Sequence, residues 1–133
     1  MAVYFSIDPG ESVGMAVQTG SGDYLFVGTI AEHVFLSGVY ETMFRTLQPT
    51  AVIMERMPTG NHHSVSIRVS THVMTLCTIT ETPYVLVSPG IWKPMAPKQV
   101  ANPLAVHMND AMRLLYYVIN FNPGLLPEPK EAK

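Results

Sequence analysis

Charge and cysteine are both scarce in this chain. Only 14% of its 133 residues are Asp, Glu, Lys or Arg, against about 25% in an average soluble domain. A disordered chain needs the opposite balance, high charge and few apolar groups. Here 47% of residues are hydrophobic, so one packed core is expected, with part of the surface covered by another copy. The single cysteine, Cys77, excludes an internal disulfide and fits a reducing cytoplasm. Long apolar runs are missing too. The longest, Leu114–Ile119, has six residues, whereas a membrane helix needs about 20. Asp8 interrupts what would be the apolar stretch of a secretory leader, and a cytoplasmic location is expected (the host cytoplasm for a viral protein). There is no basic excess: the formal net charge is −2. Any binding of nucleic acid must therefore rest on a local basic patch.

Along the chain, the apolar run 2–7 ends at Asp8-Pro9-Gly10 and reads as a buried strand stopped by a turn. Val13–Thr19 and Tyr24–Ile30 flank a Gly-rich turn and read as a hairpin. Leu36, Tyr40, Met43, Phe44 and Leu47 recur at helical spacing until Pro49. Ala51–Met54 is a short buried strand ending in Glu55. Residues 64–80 alternate like a strand at first, but Val65, Val69, Val73, Leu76 and Thr80 fit a helix, and the length favours the helix. Tyr84–Val87 is a further strand, followed by a Pro-rich loop from Ser88 to Pro97. Asn102 as cap and Pro103 as first residue open a last helix, which runs to about Phe121 and ends at Asn122-Pro-Gly. The order βββαβαβα predicts an α/β fold, a mixed five-stranded sheet with helices on both faces.

Three acids occupy awkward places. Asp8 and Glu55 each end an apolar strand, and Asp110 lies on the apolar last helix with His107 one turn earlier. Singly, each has an ordinary explanation as a turn, a strand end or a solvated helix face. Jointly they converge. If strands one and four are neighbours, Asp8 and Glu55 lie side by side, and a helix packed across them brings Asp110 and His107 to the same spot. Carboxylates so close resist ionising together. A divalent cation removes that penalty, and oxygen donors suit Mg²⁺ or Mn²⁺.

Three segments carry a resemblance: Phe5-Ser-Ile-Asp-Pro-Gly-Glu-Ser-Val-Gly14, Ala51-Val-Ile-Met-Glu55 and His107-Met-Asn-Asp110-Ala111. In order and spacing they resemble the RuvC-like Holliday junction resolvases of the RNase H-like superfamily, in a compact form of the kind a virus carries. The resemblance implies one RNase H-like nuclease domain over residues 1–121, with 122–133 as an exposed C-terminal tail. It implies that Asp8, Glu55, His107 and Asp110 hold two Mg²⁺ ions, replaceable by Mn²⁺, for hydrolysis of a DNA phosphodiester. Asp8, on the central strand, would bridge them. The implied substrate is a four-way junction or related branched DNA, cut by a homodimer whose two sites address opposing strands. A YqgF-like nuclease on structured RNA, or a module of the same fold that binds branched nucleic acid without cutting, are the alternatives.

Arg56, Asn61, Arg68, Lys93 and Lys98 are the candidate DNA contacts; Lys93 and Lys98 are similar to lysines that the family places near its site. Trp92 is read as a core anchor in preference to a base-stacking platform. Pro58 stands where the family commonly has an aromatic residue, which leaves Met57 as the neighbour available for opening a junction. The dimer is expected to form through helix 64–80, with Ile67, Met74 and Ile79 on a second apolar face.

Overall fold

The computed structural model describes residues 1–56, 64–95 and 106–127. Five strands form one sheet: β1 (Val3–Asp8), β2 (Ser12–Thr19), β3 (Tyr24–Ala31), β4 (Ala51–Glu55) and β5 (Tyr84–Val87). Their order across the sheet is β3-β2-β1-β4-β5. The first three make an antiparallel meander, with Phe5 opposite Val17 and Asp8 opposite Gly14. β4 adds to β1 in parallel, Ile7 beside Met54, and β5 adds to β4 in parallel, Glu55 beside Val87. A parallel pair needs a crossover, and helices supply both.

The first crossover is helical from Glu32 to Leu47. It comprises α1 (Glu32–Val34), a wide π-type turn (Phe35–Val39) and α2 (Tyr40–Leu47). The helix therefore starts one turn before the residues whose spacing marks it. The wide turn coincides with Gly38, at φ 121°, a backbone conformation that side chains resist. Gln48 closes α2 in the left-handed region, donating its N–H to Phe44 at 2.9 Å, and Pro49 prevents any continuation. The second crossover is α3 (Ser64–Thr80), so length decides that ambiguous segment in favour of helix. The expected loop after β5 contains a single helical turn, α4 (Pro89–Trp92), with Pro89 at a position that lacks nothing by losing its N–H. The last helix, α5 (Val106–Phe121), crosses β1 and β2. Its expected cap, Asn102-Pro103, lies outside the described residues. Beyond it, Pro123–Leu125 forms a 3₁₀ turn and Leu126 packs on the core, so the start of the expected exposed tail is held by apolar contact.

Strand alternation divides the core in two. Val3, Phe5 and Ile7 of β1, with Val52 and Met54 of β4, face α2 and α3. Tyr4 of β1 and Ala51 and Ile53 of β4 face α5 and Trp92. The sheet is thus covered on both sides, as the element order predicts, and each side chain's parity along its strand selects its layer. No helix among the described residues is long and apolar enough to cross a membrane.

Candidate active site

Parity also places the acids. Asp8 follows Tyr4 and Ser6 on the α5 side of β1, and Glu55 follows Ala51 and Ile53 on the α5 side of β4. One step beyond the Ile7–Met54 pair, Asp8 and Glu55 end neighbouring parallel strands, whose backbones run about 4.8 Å apart. Both residues are buried, each 6% exposed. On the other flank of Asp8, the paired position of β2 is Gly14, which sets no side chain beside it.

Ser6 brings α5 to this spot. Its hydroxyl donates to the carbonyl of Ala111 at 2.7 Å, inside the core. That bond fixes α5 over β1 one same-face position before Asp8, and the residue preceding Ala111 is Asp110. The Asp110 side chain is 15% exposed and accepts from Arg113 Nη1 at 2.9 Å. Glu55 Oε1 lies 3.5 Å from Lys93 Nζ, at the end of α4. Arg113 Nη2 also donates to the Lys93 carbonyl at 3.2 Å. Trp92 meets both cations: its ring centroid is 5.5 Å from Lys93 Nζ and 5.2 Å from the Arg113 guanidinium carbon. Only 1% exposed, Trp92 is the core anchor expected of it and also a surface on which both cations rest.

The structure therefore brings Asp8, Glu55, Asp110 and Lys93 to one end of the sheet. Arg56 follows Glu55 there, its N–H bonded to Val87 at 2.8 Å and its side chain exposed. Arg68 is not brought to the carboxylates. It sits on α3, the opposite layer, and its guanidinium grips Glu32 through two bonds of 3.1 Å. His107 lies one turn before Asp110 on α5, with its side chain outside the described residues. Met57, Pro58, Asn61 and Lys98 also lie outside them. Two functional side chains escape sequence reasoning, Ser6 and Arg113. A hydroxyl inside an otherwise apolar strand is the only signal for Ser6. For Arg113 there is none, since an Arg three residues after an Asp on a helix is an ordinary solvated pair.

Buried carboxylate oxygens suit a hard divalent cation by donor type. As the side chains stand, no three His, Cys, Asp or Glu groups among the described residues gather closely enough to hold one ion; Glu55 and Asp110 are instead engaged by Lys93 and Arg113. The roomier cavity, about 550 Å³, opens by Met1, Pro49 and Pro83 at the other end of the sheet, while a cleft of about 200 Å³ adjoins Glu55 and Arg56.

No protein-family model matches the chain, and no curated protein matches it by sequence. Solved structures do. RuvC of Thermus thermophilus matches with a TM-score of 0.68 at 18% identity, over 93% of this chain and 98% of that one. The T. thermophilus RuvC structure in complex with a Holliday junction substrate matches at 0.66 and 15% identity, over 92% and 98%. The chain has the RNase H-like fold of the RuvC Holliday junction resolvases.

Proposed function

We propose that this chain is a metal-dependent endonuclease acting on four-way or related branched DNA. The observation that carries the reading is the pair of buried carboxylates, Asp8 and Glu55, on adjacent parallel strands under Asp110, in the fold of a protein solved on a Holliday junction. Asp8, Glu55 and Asp110, with His107 one turn earlier on α5, would hold Mg²⁺ or Mn²⁺. When bound, a pair of such cations supplies Lewis acidity and a water nucleophile for in-line displacement at phosphorus. Asp8, on the central strand, sits between the other two acids and is the natural shared ligand. Ser6 fixes the distance of Asp110 from β1 through the Ala111 carbonyl. Lys93 and Arg56, at the rim, offer positive charge to the DNA backbone.

Two matched cuts in a two-fold substrate call for two sites, and a homodimer supplies them. The outer face of α3 supports this: Ile67 and Ile79 are 44% and 66% exposed. Met74 contributes less than its spacing predicts, since it packs partly into the core beneath. Sedimentation at micromolar concentration should give twice the 14.7 kDa chain mass. Met74→Lys and Ile67→Lys should each move the mass toward the monomer.

The deciding experiment incubates the protein with a labelled four-way DNA junction, a flap, a linear duplex and an RNA–DNA hybrid, in Mg²⁺ and in chelator. Cleavage of the junction in Mg²⁺ alone is expected. Binding of the junction with no cleavage in Mg²⁺ or Mn²⁺ would make the chain a binding module, and preference for the RNA-containing substrate would favour the YqgF-like alternative.

A further inference from the structure

Two basic side chains stand among the carboxylates, each holding one of them. Lys93 Nζ is 3.5 Å from Glu55 and Arg113 Nη1 is 2.9 Å from Asp110. The two cations are themselves linked, because Arg113 also donates to the Lys93 carbonyl and both rest on Trp92. The Arg113–Asp110 pair is shielded, its side chains 12% and 15% exposed, so its attraction is little weakened by solvent. The Trp92 Nε1 atom is buried without a hydrogen-bond partner among the described residues. Packing and the two cations hold this indole in place.

A divalent cation at Glu55 and Asp110 would compete with Lys93 and Arg113 for the same oxygens. Once displaced, Lys93 and Arg113 would each lose a carboxylate in a site already gaining positive charge. A phosphodiester is the anion whose chemistry answers both: its oxygens accept the planar fork of an arginine in two parallel bonds and a lysine as a point charge. We propose that Lys93 and Arg113 are exchangeable counter-ions, which hold Glu55 and Asp110 in the cation-free protein and turn to DNA phosphates when a divalent cation takes those carboxylates. Arg113 is then a phosphate-binding residue that operates only in the cation-loaded state. The inference rests on the nuclease reading and adds a coupling to it: cation binding strengthens the grip on the DNA backbone through two identified side chains.

The chain has one tryptophan, which makes Trp92 emission a direct report on the two cations beside its ring. Ca²⁺ titrated into the full-length protein without DNA should shift that emission. Affinity for a synthetic four-way junction is then measured against salt, in Ca²⁺ and in chelator. Each phosphate contact contributes about 0.9 to the slope of log affinity on log salt, so the wild-type slope should steepen by about 2 in Ca²⁺. Arg113→Gln should lower the Ca²⁺ slope by about 1 and leave the chelator slope unchanged. Arg113→Lys keeps the charge and should keep the slope, while binding more weakly in Ca²⁺ for want of the fork; it serves as the test if Arg113→Gln does not fold. An Arg113→Gln slope lowered equally in chelator, or in neither condition, overturns the exchange. So does Trp92 emission that ignores Ca²⁺ in a protein that binds both Ca²⁺ and the junction. A wild-type protein that binds neither overturns the nuclease reading itself.

Discussion

The two faces of the sheet handle titratable groups in opposite ways. On the α2–α3 face, Phe5, Phe35, Tyr40 and Phe44 interlock, with Phe35 stacked on Tyr40 at 4.5 Å and Phe5 edge-on to Tyr40 and Phe44 at 6.1 Å. His72 lies edge-on to Phe35 and Tyr40. Burial here pushes three groups, Tyr40, Cys77 and His72, toward their neutral forms. The Tyr40 phenol is raised well above its usual value, the Cys77 thiol is pushed up to about 12, and His72 is lowered. On the α5 face the acids and bases sit in ion pairs, Glu55 with Lys93 and Asp110 with Arg113. Inside the first layer desolvation keeps groups neutral, its ion pairs lying at the surface, whereas at the carboxylate end of the second the shielded charges are paired. Both faces carry a buried apolar core. Chemistry is expected on the second, where charge is retained and can be exchanged.

Substitutions of near-identical shape on the second face should separate the two roles most widely. Asp8→Asn and Glu55→Gln are expected to lower junction cleavage by at least about 10³-fold, about 4 kcal/mol of transition-state stabilisation. Melting temperature and junction binding should stay close to wild type. If either variant cuts normally, the charged face is not the working face. The converse is Phe5→Ala, on the same strand but facing the other layer. A fully buried Phe truncated in this way should cost about 3–5 kcal/mol of stability in urea. A loss below about 1 kcal/mol would show that the aromatic layer is not what holds the fold.

Acid provides a subtler probe of the neutral face. Burial lowers His72 below 6.5 in the folded state, only partly opposed by the charge of Glu41. The unfolded chain then binds the proton first, so stability falls as pH drops below about 6.5 and levels off beneath the folded value. Urea midpoints at pH 7.5 and 5.5 should differ less in His72→Phe than in wild type. Equal differences would mean that His72 does not titrate against its surroundings. The smallest effect belongs to the exposed pair of Arg45 and Glu41, 2.9 Å apart with side chains 53% and 43% exposed. Arg45→Gln should cost no more than about 0.5 kcal/mol. A larger loss would blur the contrast between pairs that are shielded, like Arg113–Asp110, and pairs that are not.

Much of this architecture is legible in the residues because each signal is local. Strand β5 begins at Tyr84 and ends at Val87 as its apolar run does, and Pro49 and Pro9 stop their elements by lacking a donor and fixing φ. Alternation along β1 and β4 suffices to place Asp8 and Glu55 on one face once the strands are neighbours. Elsewhere the signal is misleading. Prolines between Ser88 and Pro97 read as loop, yet Pro89 opens a helical turn, because its fixed φ suits a helix start.

By itself, the sequence determined the order of strands and helices, the division of the core by side-chain parity and the three acids that end in one place. All of these follow from periodicity and from residues that start or stop an element. Only the tertiary structure decided which charges meet across elements and which pairs are shielded. Arg68 joins Glu32 on the far layer, Lys93 reaches Glu55, and Arg113 turns from an ordinary helix-surface arginine into a shielded partner of Asp110. Ion pairs between distant elements depend on which helix covers which strand and on what Trp92 buries beside them. A charge carries no periodic imprint of its future partner, because Coulomb attraction acts through space and not along the chain.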